Sequence, residues 1–128
     1  MNIGQAADAS GVSAKMIRYY EETGLIRAAE RSSSGYRVYS DEDVHTLRFI
    51  RRARDLGFSV KQIALLLGLW QDKNRESAQV KQVALEHIAE LQTKIEELQQ
   101  MIGVLSELAD NCQGDHRPNC PILKKLEA

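Results

Sequence analysis

Apolar residues recur along the second half of the chain at Ala84, Ile88, Leu91, Ile95, Leu98, Ile102, Leu105 and Ala109. Steps of four and three alternate without a break, which is the seam of a heptad repeat. No proline falls between Glu76 and Asp110, Gly103 is the one glycine there, and Glu, Gln and Lys fill many outer positions. Such residues favour helix, and the pattern predicts one helix from about Ser77 to Ala109. At about 1.5 Å per residue the seam from Ala84 to Ala109 is ~38 Å long. Too little chain remains to cover a stripe of that length. It calls for a partner, and the simplest partner is a second copy of the same helix. Followed backward from Ala84 in the same steps, the seam reaches Lys81 and then Ser77, so a small polar residue takes an inward position at the helix start. In an antiparallel pair, Ser77 of one copy would lie near the end of the other helix, which leads into Asn111 and Cys112.

The first half has shorter runs. Ile3, Ala6 and Ala7 share one face of a short helix that Gly11 breaks. Ser13 is a good cap for a second helix running to about Glu22. On it Ile17 and Tyr20 point inward, while Lys15, Arg18, Tyr19 and Glu22 lie toward the other side. Two short helices across a tight glycine turn form a helix-turn-helix pattern. Its second helix is the one that would enter a major groove. On this piece alone, a plain helical hairpin with solvated charges fits as well.

Thr23-Gly24 ends the second helix, Leu25-Ile26 is extended, Ser32 to Gly35 is a turn, and Tyr36 to Tyr39 alternates as a strand. The reading is a small β-hairpin wing, with Arg31 and Arg37 beside its turn and suited to phosphate contact. Ser40 caps a third helix whose first turn holds Asp41, Glu42 and Asp43, where the helix dipole favours acids. Val44, Leu47, Ile50 and Ala53 face its core; Arg48, Arg51, Arg52 and Arg54 make the outside basic. Ser59-x-x-Gln62 is a capping box for a fourth helix. There Val60, Ile63, Ala64 and Leu67 form a stripe, and Leu65, Leu66, Leu69 and Trp70 extend the apolar surface nearly all round. That helix is expected to be largely buried. Gln71 to Glu76 is polar and reads as a hinge.

Composition changes the picture at three points. The chain has 128 residues, 43% of them hydrophobic, so global disorder is excluded and one or two small domains fit. Net charge is −1, but residues 1–70 hold ten Lys+Arg against eight Asp+Glu, while 71–128 hold seven against ten. The regional excess is small, and the placement of cations on faces says more. No stretch is long enough to span a membrane and the start lacks a signal peptide, so a cytoplasmic protein is expected. In that compartment two cysteines are more often metal ligands or redox groups than a structural disulfide.

Cys112 and Cys120 have seven residues between them, with Gly114 and Pro118 making a compact loop. Pro121 suits the first position of a short helix whose packing residues would be Ile122, Leu123 and Leu126. Cys120 then stands at a helix N-terminus, where the dipole favours a thiolate. Two thiolates suit a soft, low-coordinate cation such as Cu(I). Zinc usually takes four ligands, for which Asp115 and His116 are candidates, and a reversible disulfide also fits the pair. No nucleophile–base pair, no glycine-rich phosphate loop and no Cys-x-x-Cys appears, which argues against an enzyme.

The run from Met16 through Arg18, Tyr19, Tyr20, Glu21 and Gly24 to Ile26, then Arg31 with Gly35 to Tyr39, then Arg51 to Phe58, resembles the MerR family of transcription regulators. The likeness extends through the long helix to Cys112 and Cys120, and is nearest to the copper-responsive type. It implies a mainly α fold: a winged helix-turn-helix head (1–70), a hinge (71–76), a dimerisation helix in an antiparallel coiled coil (77–110), and a metal-binding loop with a short C-terminal helix (111–128). It implies Cys112 and Cys120 as the two thiolates that hold Cu(I) linearly, with Ag(I) and Au(I) as surrogates. Ser77 matches the position that sets metal selectivity, occupied by a third cysteine ligand in divalent-metal sensors. Lys15, Arg18 and Tyr19 on the reading helix, Arg31, Tyr36 and Arg37 on the wing, and Arg54 and Lys61 beyond are the implied DNA contacts. The implied partners are promoter DNA, a second copy of the chain, and RNA polymerase indirectly, through DNA geometry. The alternative within the family is a divalent-metal or thiol-redox sensor.

Overall fold

Side-chain caps open the helices where local rules place them. The computed structural model describes residues 1–115 and 118–128. In order the elements are α1 (Ile3–Ser10), α2 (Ala14–Glu22), β1 (Glu30–Arg31), β2 (Arg37–Val38), α3 (Asp41–Asp55), α4 (Val60–Gln71), α5 (Ser77–Asp110) and α6 (Pro121–Glu127). Ser13 accepts from the Met16 N–H at 3.2 Å. Ser40 with Asp43 and Ser59 with Gln62 form reciprocal capping boxes, as do Asn2 and Gln5 at the start of α1. Each such cap is worth about 1 kcal/mol, because it satisfies donors that the first helical turn leaves open. Among the described residues, no helix is long and apolar enough to cross a membrane.

The chain divides into two compact units, Met1–Val83 and Ala84–Ala128. In the first, α1 packs on α2 and on α3, and α3 on α4. Ile17 and Tyr20 of α2, Leu47 and Ile50 of α3, and Ile63 of α4 are fully buried at the centre. Burying an aliphatic side chain of this size stabilises by about 1.5–3 kcal/mol. The hairpin pairs Glu30 with Val38 and Arg31 with Arg37, antiparallel. The residue that follows β2, Tyr39, enters the core, 3% exposed.

Two arginines on α3 are committed to α1. Arg48 Nε donates to the Ala9 carbonyl at 3.0 Å. Arg51 lies over Gly11, where a Cβ would stand 1.8 Å from its Nη1. Gly11 also has φ +76° as the cap of α1, a conformation that favours glycine. The helix-turn-helix corner therefore needs Gly11 for its backbone and for the space above it.

The α4 expectation is corrected. Only Ile63 and Leu67 of that helix are buried, and Leu65 is 54% exposed. One face packs on α3, and a single packed face cannot cover an all-round apolar surface. Leu66 and Trp70 line a groove of about 370 Å³ with His45, Phe49, Leu56 and Phe58. In it Trp70 stacks on Phe49 with centroids 4.4 Å apart and planes 9° apart.

In the second unit α5 continues to Asp110 as part of a helix of 34 residues. Its own chain does not cover the seam: Ile88, Ile95, Leu98, Ile102 and Leu105 are all exposed within the single chain. The packing role expected of Leu123 and Leu126 in α6 is also corrected, since both are exposed, at 64% and 76%. A seven-residue helix following a ten-residue connection has little of its own unit to lie against.

Gly11→Ala is expected to lower stability by about 1–3 kcal/mol through the forced left-handed backbone, and further through displacement of Arg51. Gly24→Ala, also at positive φ but with nothing within 4 Å, should lose only the backbone part. Urea unfolding of the two variants side by side measures the difference.

Candidate functional site

One face of the first unit is built from α2 and the wing. Ile17 and Tyr20 anchor α2 inward, which turns Lys15, Arg18 and Tyr19 outward; all three are exposed. Tyr19 leans on Tyr20 with ring centroids 5.9 Å apart. Neither Lys15 nor Arg18 takes part in an ion pair closer than 4 Å to a described residue. On the wing, Tyr36 is 75% exposed. Arg31 Nη1 reaches across the turn to the Gly35 carbonyl at 2.8 Å, so part of its guanidinium holds the turn closed. Arg37 is held more firmly: its Nε donates to Glu21 Oε2 at 3.2 Å. Arg54 and Lys61 are exposed, on α3 and in the first turn of α4. The sequence-predicted contacts are thus all present at the surface of one unit, with Arg37 half-buried and engaged with the protein itself.

Glu21 was not singled out in the sequence. Its spacing of four from Ile17 and one from Tyr20 does place it on the inward side of α2, and that was the available signal. The Tyr39 hydroxyl donates to Glu21 Oε1. Burial, and then the hydrogen bond to Glu21, raise the Tyr39 phenol well above its ordinary range, so it remains a donor.

The thiol pair stands at the other end of the chain. Cys112 follows the last turn of α5, its N–H donating to the Ala109 carbonyl at 3.1 Å. Gly114, at φ +64°, turns the loop back. Cys120 is the N-cap residue of α6, with Pro121 at the first helical position. The two Sγ atoms are 3.9 Å apart, the Cys112 thiol donating to Cys120. The N–H groups of Leu123 and Ile122 face the Cys120 sulfur without closing a cap of ordinary hydrogen-bond geometry. The Leu123 N–H first, then that of Ile122 and the Cys112 thiol, lower the Cys120 pKa from the ordinary thiol value; partial burial opposes them.

Two sulfurs at this separation can both reach one soft ion with bonds of about 2.3 Å. Among the described residues no group of three or more His, Cys, Asp and Glu gathers anywhere. Among the described residues the donor set here is two thiols. His116, a candidate extra ligand, lies outside the described residues. Ser77 is the first residue of α5, exposed, at the opposite end of that helix from Cys112.

In Cys112→Ser, alkylation of Cys120 by iodoacetamide should titrate at lower pH than a free cysteine does. The thiolate persists as pH falls until it passes below the depressed pKa. A rate–pH profile at or above that of free cysteine would contradict the field described here.

Known proteins match nearly the whole chain. Residues 1–69 match the model of the MerR HTH family regulatory protein, and residues 44–108 that of MerR, DNA binding. The HTH-type transcriptional regulator HmrR of Sinorhizobium medicae is 63% identical over 98% of this chain and 86% of its own. The HTH-type transcriptional regulator CueR of Escherichia coli is 42% identical over 98% of this chain and 93% of its own. In structure, the chain is similar to a transcription regulator of Ralstonia metallidurans CH34 solved in complex with lead(II), with a TM-score of 0.84, 29% identity and 98% of each chain covered. With family models matching residues 1–69 and 44–108 and with relatives 42% to 63% identical over 98% of its length, the chain belongs to the MerR family of helix-turn-helix transcription regulators.

Proposed function

We propose that this chain is a Cu(I)-responsive transcriptional activator that binds promoter DNA as a homodimer. The observation that carries the metal half is the pair of sulfurs, Cys112 and Cys120, 3.9 Å apart. Two soft donors favour Cu(I), Ag(I) or Au(I) over zinc, which seeks four ligands. Identity with CueR over nearly the whole chain supports the copper reading. The greater identity with HmrR, and with relatives called heavy-metal-dependent regulators, favours a second reading in which a wider range of soft ions, or thiol oxidation, acts on the same pair.

The heads bind DNA through Lys15, Arg18 and Tyr19 in the major groove and Arg31 and Tyr36 on the wing, with Arg37 behind them. Arg54 and Lys61 add backbone contacts. The exposed seam of α5 closes on the same seam of a second copy, which brings Ser77 of one chain toward the cysteine loop of the other. A hydroxyl there is a poor metal ligand and leaves the site with two sulfurs. Cys112 and Cys120 would hold the copper ion, which would add positive charge to the thiolate pair. The effect of the ion on the two cysteines would pass to the heads through the long helix and the hinge at residues 71–76. A ligand acts in this way only by preferring one of two protein–DNA states. The preferred state bends and untwists the promoter and realigns its elements for RNA polymerase.

Reduced protein titrated with Cu(I) under anaerobic conditions should bind one ion per thiol pair, and X-ray absorption should find two sulfur neighbours. Both signals should vanish in Cys112→Ser and Cys120→Ser. Three or more neighbours, or tighter binding of Zn(II), would move the assignment to a divalent sensor. Ser77→Cys should add a sulfur to the site and raise Zn(II) affinity by tenfold or more, roughly the worth of one further ligand. Arg18→Ala should weaken DNA binding and reduce the slope of log affinity against log salt by about 1.

A further inference from the structure

The wing is a weak element that needs an external hold. It has two paired positions per strand, and an isolated two-stranded hairpin is marginal in water. Its internal bonds shape the turn: Ser32 N–H to the Tyr36 carbonyl at 2.8 Å, Gly35 N–H to the Ser32 carbonyl at 2.9 Å, and Arg31 to Gly35. None of these ties the wing to α2. Past β2, the Tyr39 N–H donates to the Met1 carbonyl at 2.7 Å and the Met1 amine to the Tyr39 carbonyl at 2.9 Å, which holds the end of the wing. The side-chain tie to α2 comes from Glu21, whose side chain is 9% exposed.

Both carboxylate oxygens of Glu21 are used, Oε2 by Arg37 and Oε1 by the Tyr39 hydroxyl. Arg37 and Tyr39 are two apart along the strand, so they share one face, and Tyr36 and Val38 share the other. The exposures follow that alternation: Tyr36 is 75% and Val38 41% exposed, Tyr39 3%. Gripping one face of the wing therefore presents the opposite face outward. The grip comes from the helix that carries Lys15, Arg18 and Tyr19, so one residue couples the two parts of the face.

We propose that Glu21 is the positioning residue of the DNA interface: it sets the angle between wing and reading helix, and makes Arg37 an internal strut rather than a primary phosphate contact. The proposal rests on the DNA-binding half of the proposed function alone, and no metal enters it. It runs against simple electrostatics. Removing an acid beside a polyanion should strengthen binding and steepen its salt dependence. If Glu21 holds the wing, its removal does the reverse, because the wing contacts are lost.

The test uses metal-free full-length chain and a palindromic duplex selected by the wild type from a random library. Glu21→Ala should bind about tenfold more weakly, with a salt slope smaller by about 1 per chain. Hydroxyl-radical protection should be lost at the flanks, where the wing reaches, and kept at the centre. Glu21→Gln, which still offers Tyr39 an acceptor, should keep most flank protection. Tyr39→Phe removes one hydroxyl without opening the core. Its effect and that of Glu21→Ala should be non-additive, as for residues in one network. Tighter binding and a steeper slope in Glu21→Ala, or additive effects in the double variant, would overturn the proposal while wild-type binding stands. A wild type that selects no duplex would remove the DNA reading and this proposal together.

Discussion

A helix of 34 residues with an apolar seam along most of its length cannot rest alone in water. Burying that seam is the constraint on which the rest depends. A fully covered Leu or Ile is worth about 1.5–3 kcal/mol, and six such seam residues from Ile88 to Leu105 stand exposed in the single chain. The same helix joins both units, with the hinge at its start and the cysteine loop at its end. Any covering of the seam therefore fixes, at once, what lies near Ser77 and what lies near Cys112.

The first unit is organised by α3. Its inward positions Leu47 and Ile50 are fully buried between α1 and α4. Its outward arginines do two kinds of work: Arg48 and Arg51 brace the helix-turn-helix corner, while Arg54 faces solvent. A row of arginines on one helix is thus not one functional patch. The split follows from geometry, since residues three apart lie on neighbouring lines of the helix surface, and α1 crosses over Arg48 and Arg51.

What the sequence made legible was local. Ser13, Ser40 and Ser59 cap as their spacing to the third residue implies, and Ile17, Tyr20, Val44, Leu47, Ile50 and Ala53 are buried as their period implies. The two cysteines were legible as a pair because the loop between them is short and contains Gly114. What stayed hidden depends on contacts distant in the chain. Glu21 meets Arg37 and Tyr39 sixteen and eighteen residues away, and nothing periodic announces such a meeting. The exposure of Leu65, Leu123 and Leu126 was hidden for a related reason. Apolar content says that a surface prefers to be covered, and says nothing of whether its own chain covers it.

Cys120 does two jobs with one atom. Its sulfur is half of the thiol pair, and it is also the atom that the N–H groups of Leu123 and Ile122 face at the start of α6. Those groups carry the positive end of a short helix. Whatever alters the charge on that sulfur alters the field at the mouth of α6 in the same instant. The loop and the helix are consequently one electrical unit, and a change at a single bond has seven residues as its lever arm.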